Sequence, residues 1–176
     1  MRSPFDPIYK LTSFLAVLAL ISIAGIILAD VTLRQFGGQV RSSDDFAGFA
    51  LAATGFLGLA ATYRRGEHIR VGLIVDRLTG ARRKALEFFA LSCGIAATAW
   101  ATWWIGRLVY DSWRFNELTM GLVPIHLWMP QSALLFGLAV LLLAMCEDVV
   151  RLIMGKTPSY LASAESEFGE NSLADR

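Results

Sequence analysis

The segment Asp44–Arg70 reads DDFAGFALAATGFLGLAATYRRGEHIR and changes character twice along its length. It opens with two acids, continues through residues 46–63 without a charged side chain, and closes in a cluster of arginines. As an α-helix the uncharged part would rise roughly 27 Å, close to the ~30 Å hydrocarbon core of a bilayer. The segment therefore predicts a transmembrane helix with one acidic and one basic end.

Three further apolar segments of similar length indicate that the whole chain is a membrane protein. Hydrophobic residues make up 55% of the 176 residues, and the mean hydropathy is +0.52, whereas soluble domains contain roughly 45–50% apolar residues. The sequence predicts an all-α integral membrane protein with four transmembrane helices, at about 11–33, 46–63, 85–110 and 127–154. Residues 1–154 would form the membrane domain, and residues 155–176 a polar, disordered tail.

The first apolar run raises the question of a cleaved signal peptide. Leu11–Ala29 is longer than the usual 7–15-residue apolar core of such peptides. We therefore expect a retained helix, with cleavage after Ala29 as the alternative.

The distribution of basic residues predicts the orientation. Of the 16 lysines and arginines, only Arg34, Arg41, Arg107 and Arg114 lie on the side opposite the termini. The positive-inside rule then places both termini and the loop 64–84 in the cytoplasm. Within that loop a short amphipathic cytoplasmic helix is predicted from apolar residues at i, i+3, i+4 and i+7, namely Val71, Ile74, Val75 and Leu78.

Small residues recur every four positions along the second span, at Ala50, Thr54, Gly58 and Thr62. Such a stripe lets another helix approach closely, because helices in lipid associate by packing and polar contacts. The stripe predicts either packing inside this chain's own bundle or docking to a larger membrane partner. The third span has two comparable stripes, which predict neighbours on two sides; they begin at Cys93 and at Gly94.

Local signals predict how the first two spans are connected. Asp30 and Arg34 are four residues apart and can form an ion pair. Gly37-Gly38 predicts the end of the first helix. Ser42 or Ser43 could cap the second helix.

The sequence offers no recognisable catalytic chemistry. It lacks a phosphate-binding glycine loop, a nucleophile elbow, metal-binding Cys/His spacing and the basic, aromatic pattern of nucleic-acid binding. His68 and His126 are predicted at opposite ends of the bundle, which excludes a bis-histidine haem. No acid or base lies near the middle of a span, where an ion-coupled exporter needs one. We therefore expect a scaffold or accessory subunit that is not an enzyme, has no cofactor or metal, and has no nucleic-acid partner.

Several features of the sequence occur together, namely Arg34, Asp44-Asp45, the run Gly55–Ala61, the exit Arg64–Val71 and Leu122-Val123-Pro124. In these features the chain resembles the small membrane subunit, DctQ type, of tripartite ATP-independent periplasmic (TRAP) transporters. The resemblance extends over about residues 9–153 and is most specific at the exit of span 2. It differs at Ser43, where the family usually has a tryptophan, and at Gly72, where it often has an aspartate.

The resemblance implies a scaffold partner of the large TRAP membrane subunit, which carries the transport path and the sodium sites. A periplasmic substrate-binding protein would deliver an organic acid or similar solute. Arg34, Asp44 and Asp45 become candidates for periplasmic-side subunit or binding-protein contacts, and Arg65 and His68 for cytoplasmic-side packing. Helix capping or anchoring in the bilayer is the alternative role of each. The alternative functions are an accessory subunit of another membrane complex and a stand-alone small exporter.

Overall fold

The computed structural model describes residues 6–65 and 81–154. Within these ranges the chain forms four long helices, each apolar and long enough to cross a membrane. The fold class predicted from hydropathy is therefore confirmed in its coarse form. The helices are α1 (Asp6–Gln35), α2 (Ser43–Arg65), α3 (Ala81–Arg114) and α4 (Trp128–Ile153).

The first three helices are longer than the predicted spans. Helix α1 begins at Asp6 instead of residue 11, and α3 ends at Arg114 instead of residue 110. The hydropathy pattern marks only the apolar part of each helix. A helix satisfies its own backbone hydrogen bonds, so it need not end where the apolar part ends.

The helices pack side by side in the order α1, α2, α4, α3. Helix α2 packs against α1 and α4, and α4 packs against α2 and α3. The end with Asp6, Arg64 and Arg151 is called the terminal end below. The opposite end, with the connections 36–42 and 115–127, is called the loop end.

Helices α2 and α4 meet at the closest crossing described. A Cβ added at Gly137 of α4 would overlap the backbone carbonyl of Phe56 in α2. The next residue of α2, Leu57, is 4% exposed. Only glycine permits this approach, so position 137 sets the distance between the two central helices.

Helix α3 is held to α4 by one of its two small-residue stripes. A Cβ at Gly94 would lie 2.8 Å from Cε of Met145, and the hydroxyl of Thr98 donates to the sulfur of Met145 at 3.5 Å. The other stripe includes Cys93 and Ala97, which are exposed. Within the described ranges α3 thus has one close helical neighbour, where the sequence predicted two.

A compact apolar cluster joins all four helices in the half of the bundle nearer the terminal end. Burial of such side chains stabilises the packed state of the helices. Its buried members are Tyr9, Ala60, Tyr63, Leu91, Val140, Leu141 and Ala144.

Helices α1 and α3 end in the same way at the loop end. Gly37 has φ +78°, and the N–H of Gly38 donates to the carbonyl of Leu33 at 2.9 Å. Asn116 has φ +50°, and the N–H of Glu117 donates to the carbonyl of Ser112 at 3.0 Å. Both are Schellman motifs, in which a residue with positive φ closes the last turn. The predicted role of Gly37-Gly38 is confirmed.

Some predictions fall outside the described residues. These are the amphipathic cytoplasmic helix, the disordered tail at 155–176, and any role of His68.

Candidate interaction surfaces at the two ends of the bundle

Asp30 joins helix α1 to the connection that follows it. Its Oδ2 lies 2.6 Å from Nη2 of Arg34, which confirms the predicted ion pair. Its Oδ1 accepts a hydrogen bond from the backbone N–H of Val40 at 2.9 Å, and the hydroxyl of Ser43 also bonds to this carboxylate. Asp30 is 7% exposed, whereas the side chain of Arg34 is 60% exposed. The carboxylate is therefore structural, and the guanidinium remains accessible at the loop end.

The connection 115–127 folds over the first turn of helix α2. The backbone N–H of Val123 donates to the hydroxyl of Ser42 at 3.0 Å. A Cβ at Gly121 would overlap the carboxylate of Asp45. The hydroxyl of Ser42 thus bonds to Val123, and that of Ser43 to Asp30. Neither bond is the predicted cap, in which a hydroxyl accepts from an N–H in the first turn of α2. The two connections and the start of α2 therefore form one continuous surface.

The connection 115–127 has a regular internal structure. Leu118 and His126 form an antiparallel bridge, and the hydroxyl of Thr119 accepts from the N–H of Ile125 at 3.0 Å. The same hydroxyl donates to the carbonyl of Val123 at 3.2 Å. These bonds hold a hairpin whose tip is apolar and exposed: Met120 has a relative exposure of 106%.

The structure brings the three predicted loop-end residues to one end of the bundle. Arg34 belongs to the last turn of α1, and Asp44 and Asp45 belong to the first turn of α2. Asp44 is exposed, and Asp45 is partly covered by Gly121. Their contacts with another protein stay a prediction.

A polar network joins three helices at the terminal end. Nη1 of Arg64 in α2 lies 2.9 Å from Oδ1 of Asp6 in α1, and its guanidinium lies 4.2 Å from the centroid of the Tyr9 ring. The hydroxyl of Tyr9 donates to Oε2 of Glu147 in α4 at 3.1 Å. Oε1 of Glu147 lies 2.6 Å from Nη2 of Arg151. Arg64 therefore connects α1 to α2, and Tyr9 connects α1 to α4.

This network was not predicted from the sequence. The residues predicted at this end were Arg65 and His68, whereas the described cross-helix contacts involve the neighbouring Arg64. Arg65 is the last residue of α2, and His68 lies outside the described residues, so their predicted packing role is untested. One sequence signal could have predicted the network: Asp6 and Arg64 have opposite charges and lie at matching ends of two antiparallel helices.

The small-residue stripe of α2 makes no side-chain hydrogen bond to another helix among the described residues. The hydroxyl of Thr54 donates to the carbonyl of Ala50 at 2.8 Å, and that of Thr62 donates to the carbonyl of Leu59 at 3.0 Å. A Cβ at Gly58 would meet nothing within 4 Å. The same is true at Gly48 and Gly55. This face of α2 therefore has unfilled space along it.

Helix α3 exposes a band of aromatic side chains in its half nearer the loop end. Tryptophan and tyrosine favour the boundary between hydrocarbon and head groups. The members nearest the loop end, Tyr110 and Trp113, are therefore typical of a membrane interface, whereas Trp100 lies near the middle of the membrane-crossing part Phe88–Arg114. Its exposed members are Trp100, Trp103, Trp104, Tyr110 and Trp113.

Within the ranges 6–65 and 81–154 no group of three or more His, Cys, Asp or Glu side chains could hold a metal ion.

A protein-family model matches residues 23–155, more than half of the chain. The family is described as tripartite ATP-independent periplasmic transporters, DctQ component. No curated protein matches the chain significantly. The family is a transporter component, not an enzyme family, and the match covers the last 13 residues of α1 and all of α2, α3 and α4. The chain therefore belongs to the DctQ family of TRAP transporter small membrane components.

Proposed function

We propose that this chain is the scaffold subunit of a secondary transporter in the bacterial inner membrane. It would bind a large membrane subunit that moves the solute, and a periplasmic protein would deliver the solute to that pair. The transported solute would be an organic acid or a similar anion, and uptake would be coupled to sodium.

The observation that supports this proposal most strongly is the family match over residues 23–155, which covers three of the four described helices in full and the end of α1. The site chemistry agrees with it. The buried Asp30 forms its bonds at the loop end, and the network of Arg64, Tyr9 and Glu147 lies at the terminal end. Both sets of charges hold helices together, as a static scaffold requires.

The proposed orientation places the terminal end in the cytoplasm and the loop end in the periplasm. The basic residues Arg64 and Arg151 would then lie on the cytoplasmic side, in keeping with the positive-inside rule. The exposed guanidinium of Arg34 and the hairpin tip at Met120 would face the periplasm, where a binding protein could reach them.

The open face of α2 is the proposed contact with the large subunit. Space beside Gly48, Gly55 and Gly58 would admit the backbone of a neighbouring helix. The exposed face of α1 has large side chains such as Phe14, Ile21 and Leu28, which suit lipid.

Co-expression with a large TRAP membrane subunit from the same organism would test the proposal. In mild detergent the two proteins should co-purify in a fixed ratio. Solutes would first be identified by thermal shift of a TRAP substrate-binding protein from the same organism against a panel of organic acids. Proteoliposomes that hold both membrane proteins should then accumulate the identified solute only with sodium outside and the binding protein present.

Omission of single components provides the controls. Liposomes that hold only the large subunit should lose most of the uptake. Full uptake without this chain, or accumulation by this chain alone, would contradict the proposed role.

A further inference from the structure

A groove runs along helix α3 on its α4 side, with a cavity volume of about 400 Å³. Ala99, Thr102 and Gly106 line it at spacings of three and four residues, so they share one face of the helix. Leu142 of α4 lines it as well, and Trp103 lies beside it. Because small side chains alternate with larger ones, the groove is narrow and apolar.

The length of the groove matches one leaflet of a bilayer. Its lining extends from Ala99 to Tyr110, which corresponds to a rise of roughly 16 Å along a helix. Half of the ~30 Å hydrocarbon core is about 15 Å. Ala99 lies near the middle of the membrane-crossing part of α3, Phe88–Arg114, and Tyr110 lies near its loop end. An acyl chain of ordinary length could therefore fill the groove.

The end of the groove nearer the loop end carries a positively charged side chain that has no acidic partner among the described residues. Arg107 lines the groove, and its guanidinium lies 5.8 Å from the centroid of the Trp104 ring. The described residues give it no ion pair. A guanidinium at head-group depth is a preferred partner of a phosphate, because its donors match the phosphate oxygens in geometry and charge.

We propose that this groove is a binding site for one phospholipid of the leaflet at the loop end. One acyl chain lies along Ala99, Thr102 and Gly106, and the phosphate bonds to Arg107. Asp111 lies one helical turn further out on the same side of α3 as Arg107. A head group with an ammonium beyond its phosphate, such as phosphatidylethanolamine, therefore fits better than an anionic one.

A helix of a partner protein would fit this groove less well than an acyl chain does. A helix is about 10 Å wide with its side chains, and the groove is bounded by the large rings of Trp103 and Tyr110. The proposal requires only that α3 crosses a bilayer, so it stands or falls independently of the transport role.

The full-length chain, purified in mild detergent, would be examined by native mass spectrometry after addition of palmitoyl-oleoyl phosphatidylethanolamine. The wild-type chain should retain one phospholipid. Arg107→Gln should lower the retained fraction roughly tenfold, because a charge-assisted contact with the phosphate is lost. Arg114→Gln is the matched control, since Arg114 is also an exposed arginine of α3 and its guanidinium lies beside the Phe115 ring, outside the groove. Its retention should equal that of the wild type.

A second variant tests the acyl-chain part of the site. Ala99→Phe places a ring inside the groove and should abolish retention of the phospholipid. The helical content of the variant and its elution volume in gel filtration should stay unchanged. Phosphatidylglycerol, added in place of phosphatidylethanolamine, should bind the wild-type chain more weakly than it binds the Asp111→Asn variant.

Three results would overturn the proposal. They are equal retention by the wild type and Arg107→Gln, an equal loss in Arg107→Gln and Arg114→Gln, and undiminished retention by Ala99→Phe. Disulfide cross-linking of Ala99→Cys to a co-expressed large subunit would assign the groove to a protein helix instead.

Discussion

The hydroxyl of Tyr9 donates a hydrogen bond to Oε2 of Glu147 at 3.1 Å, across 138 residues of sequence. This contact fastens the start of α1 to α4, although α1 packs mainly against α2. The same tyrosine ring lies under the guanidinium of Arg64. Tyr9 is therefore the residue at which three helices are held in register.

We expect Tyr9→Phe to destabilise the bundle by about 1.5 kcal/mol, because a partly buried bond to a charged acceptor is lost. The free energy of unfolding would be measured by SDS titration in mixed micelles. Tyr110→Phe is the control, since Tyr110 is 55% exposed on α3. Equal stability of Tyr9→Phe and the wild type would show that the network contributes little.

Asp30→Ala should release the connection between α1 and α2. The amide of Val40 loses its acceptor, so its hydrogen exchange should become about tenfold faster. Hydrogen–deuterium exchange with mass spectrometry of the peptide around residue 40 would measure this. Asp44→Ala removes an exposed acid nearby and should leave the exchange of Val40 unchanged. Comparable acceleration in both variants would mean that net charge, not the Asp30 bond, protects the amide.

Gly137→Leu should separate the two central helices, because any Cβ at this position overlaps the carbonyl of Phe56. Overpacking of this kind costs about 1–3 kcal/mol, and here a backbone atom must move. Unfolding by SDS would report the loss. Gly25→Leu is the matched control, since a Cβ at Gly25 meets nothing within 4 Å. A fully stable Gly137→Leu variant would contradict the close crossing of α2 and α4.

Gly58→Leu should weaken binding of the large subunit and leave the isolated chain intact, because the space beside Gly58 is open. A loss of about 1.4 kcal/mol in association would lower the co-purified partner roughly tenfold. The amount of large subunit recovered with the tagged chain would be quantified. Gly25→Leu again serves as the control, now on the lipid-like face of α1. Unchanged recovery with Gly58→Leu would remove this face of α2 from the proposed interface.

The sequence was sufficient to predict the parts of the fold that depend on one helix at a time. Four spans follow from hydropathy, the pair Asp30–Arg34 from its spacing, and the end of α1 from Gly37-Gly38. Each of these depends on local chemistry: apolar length, an i, i+4 contact, or a residue that tolerates positive φ.

Contacts between helices could not be predicted, because they depend on which helices become neighbours. The spacing of small residues marked Gly58 on α2, yet the closest approach uses Gly137 of α4, a lone glycine in an aliphatic run. Arg64 and Arg65 are chemically alike in sequence, and only the rotation of α2 about its axis directs Arg64 to Asp6 and Tyr9. The groove at Arg107 requires both the α3 stripe and Leu142, and hydropathy alone does not bring these together.

The order of packing has a consequence for biogenesis. Of the four described helices, α4 leaves the ribosome last, and it lies between α2 and α3. Helices α2 and α3 of the nascent chain therefore lack their shared neighbour until α4 has been synthesised. The α1–α2 pair can form early in the membrane, whereas α3 can pack against its neighbour only after α4 has been inserted. A chain that stops at residue 127 would thus present an unaccompanied α3 to membrane quality-control proteases.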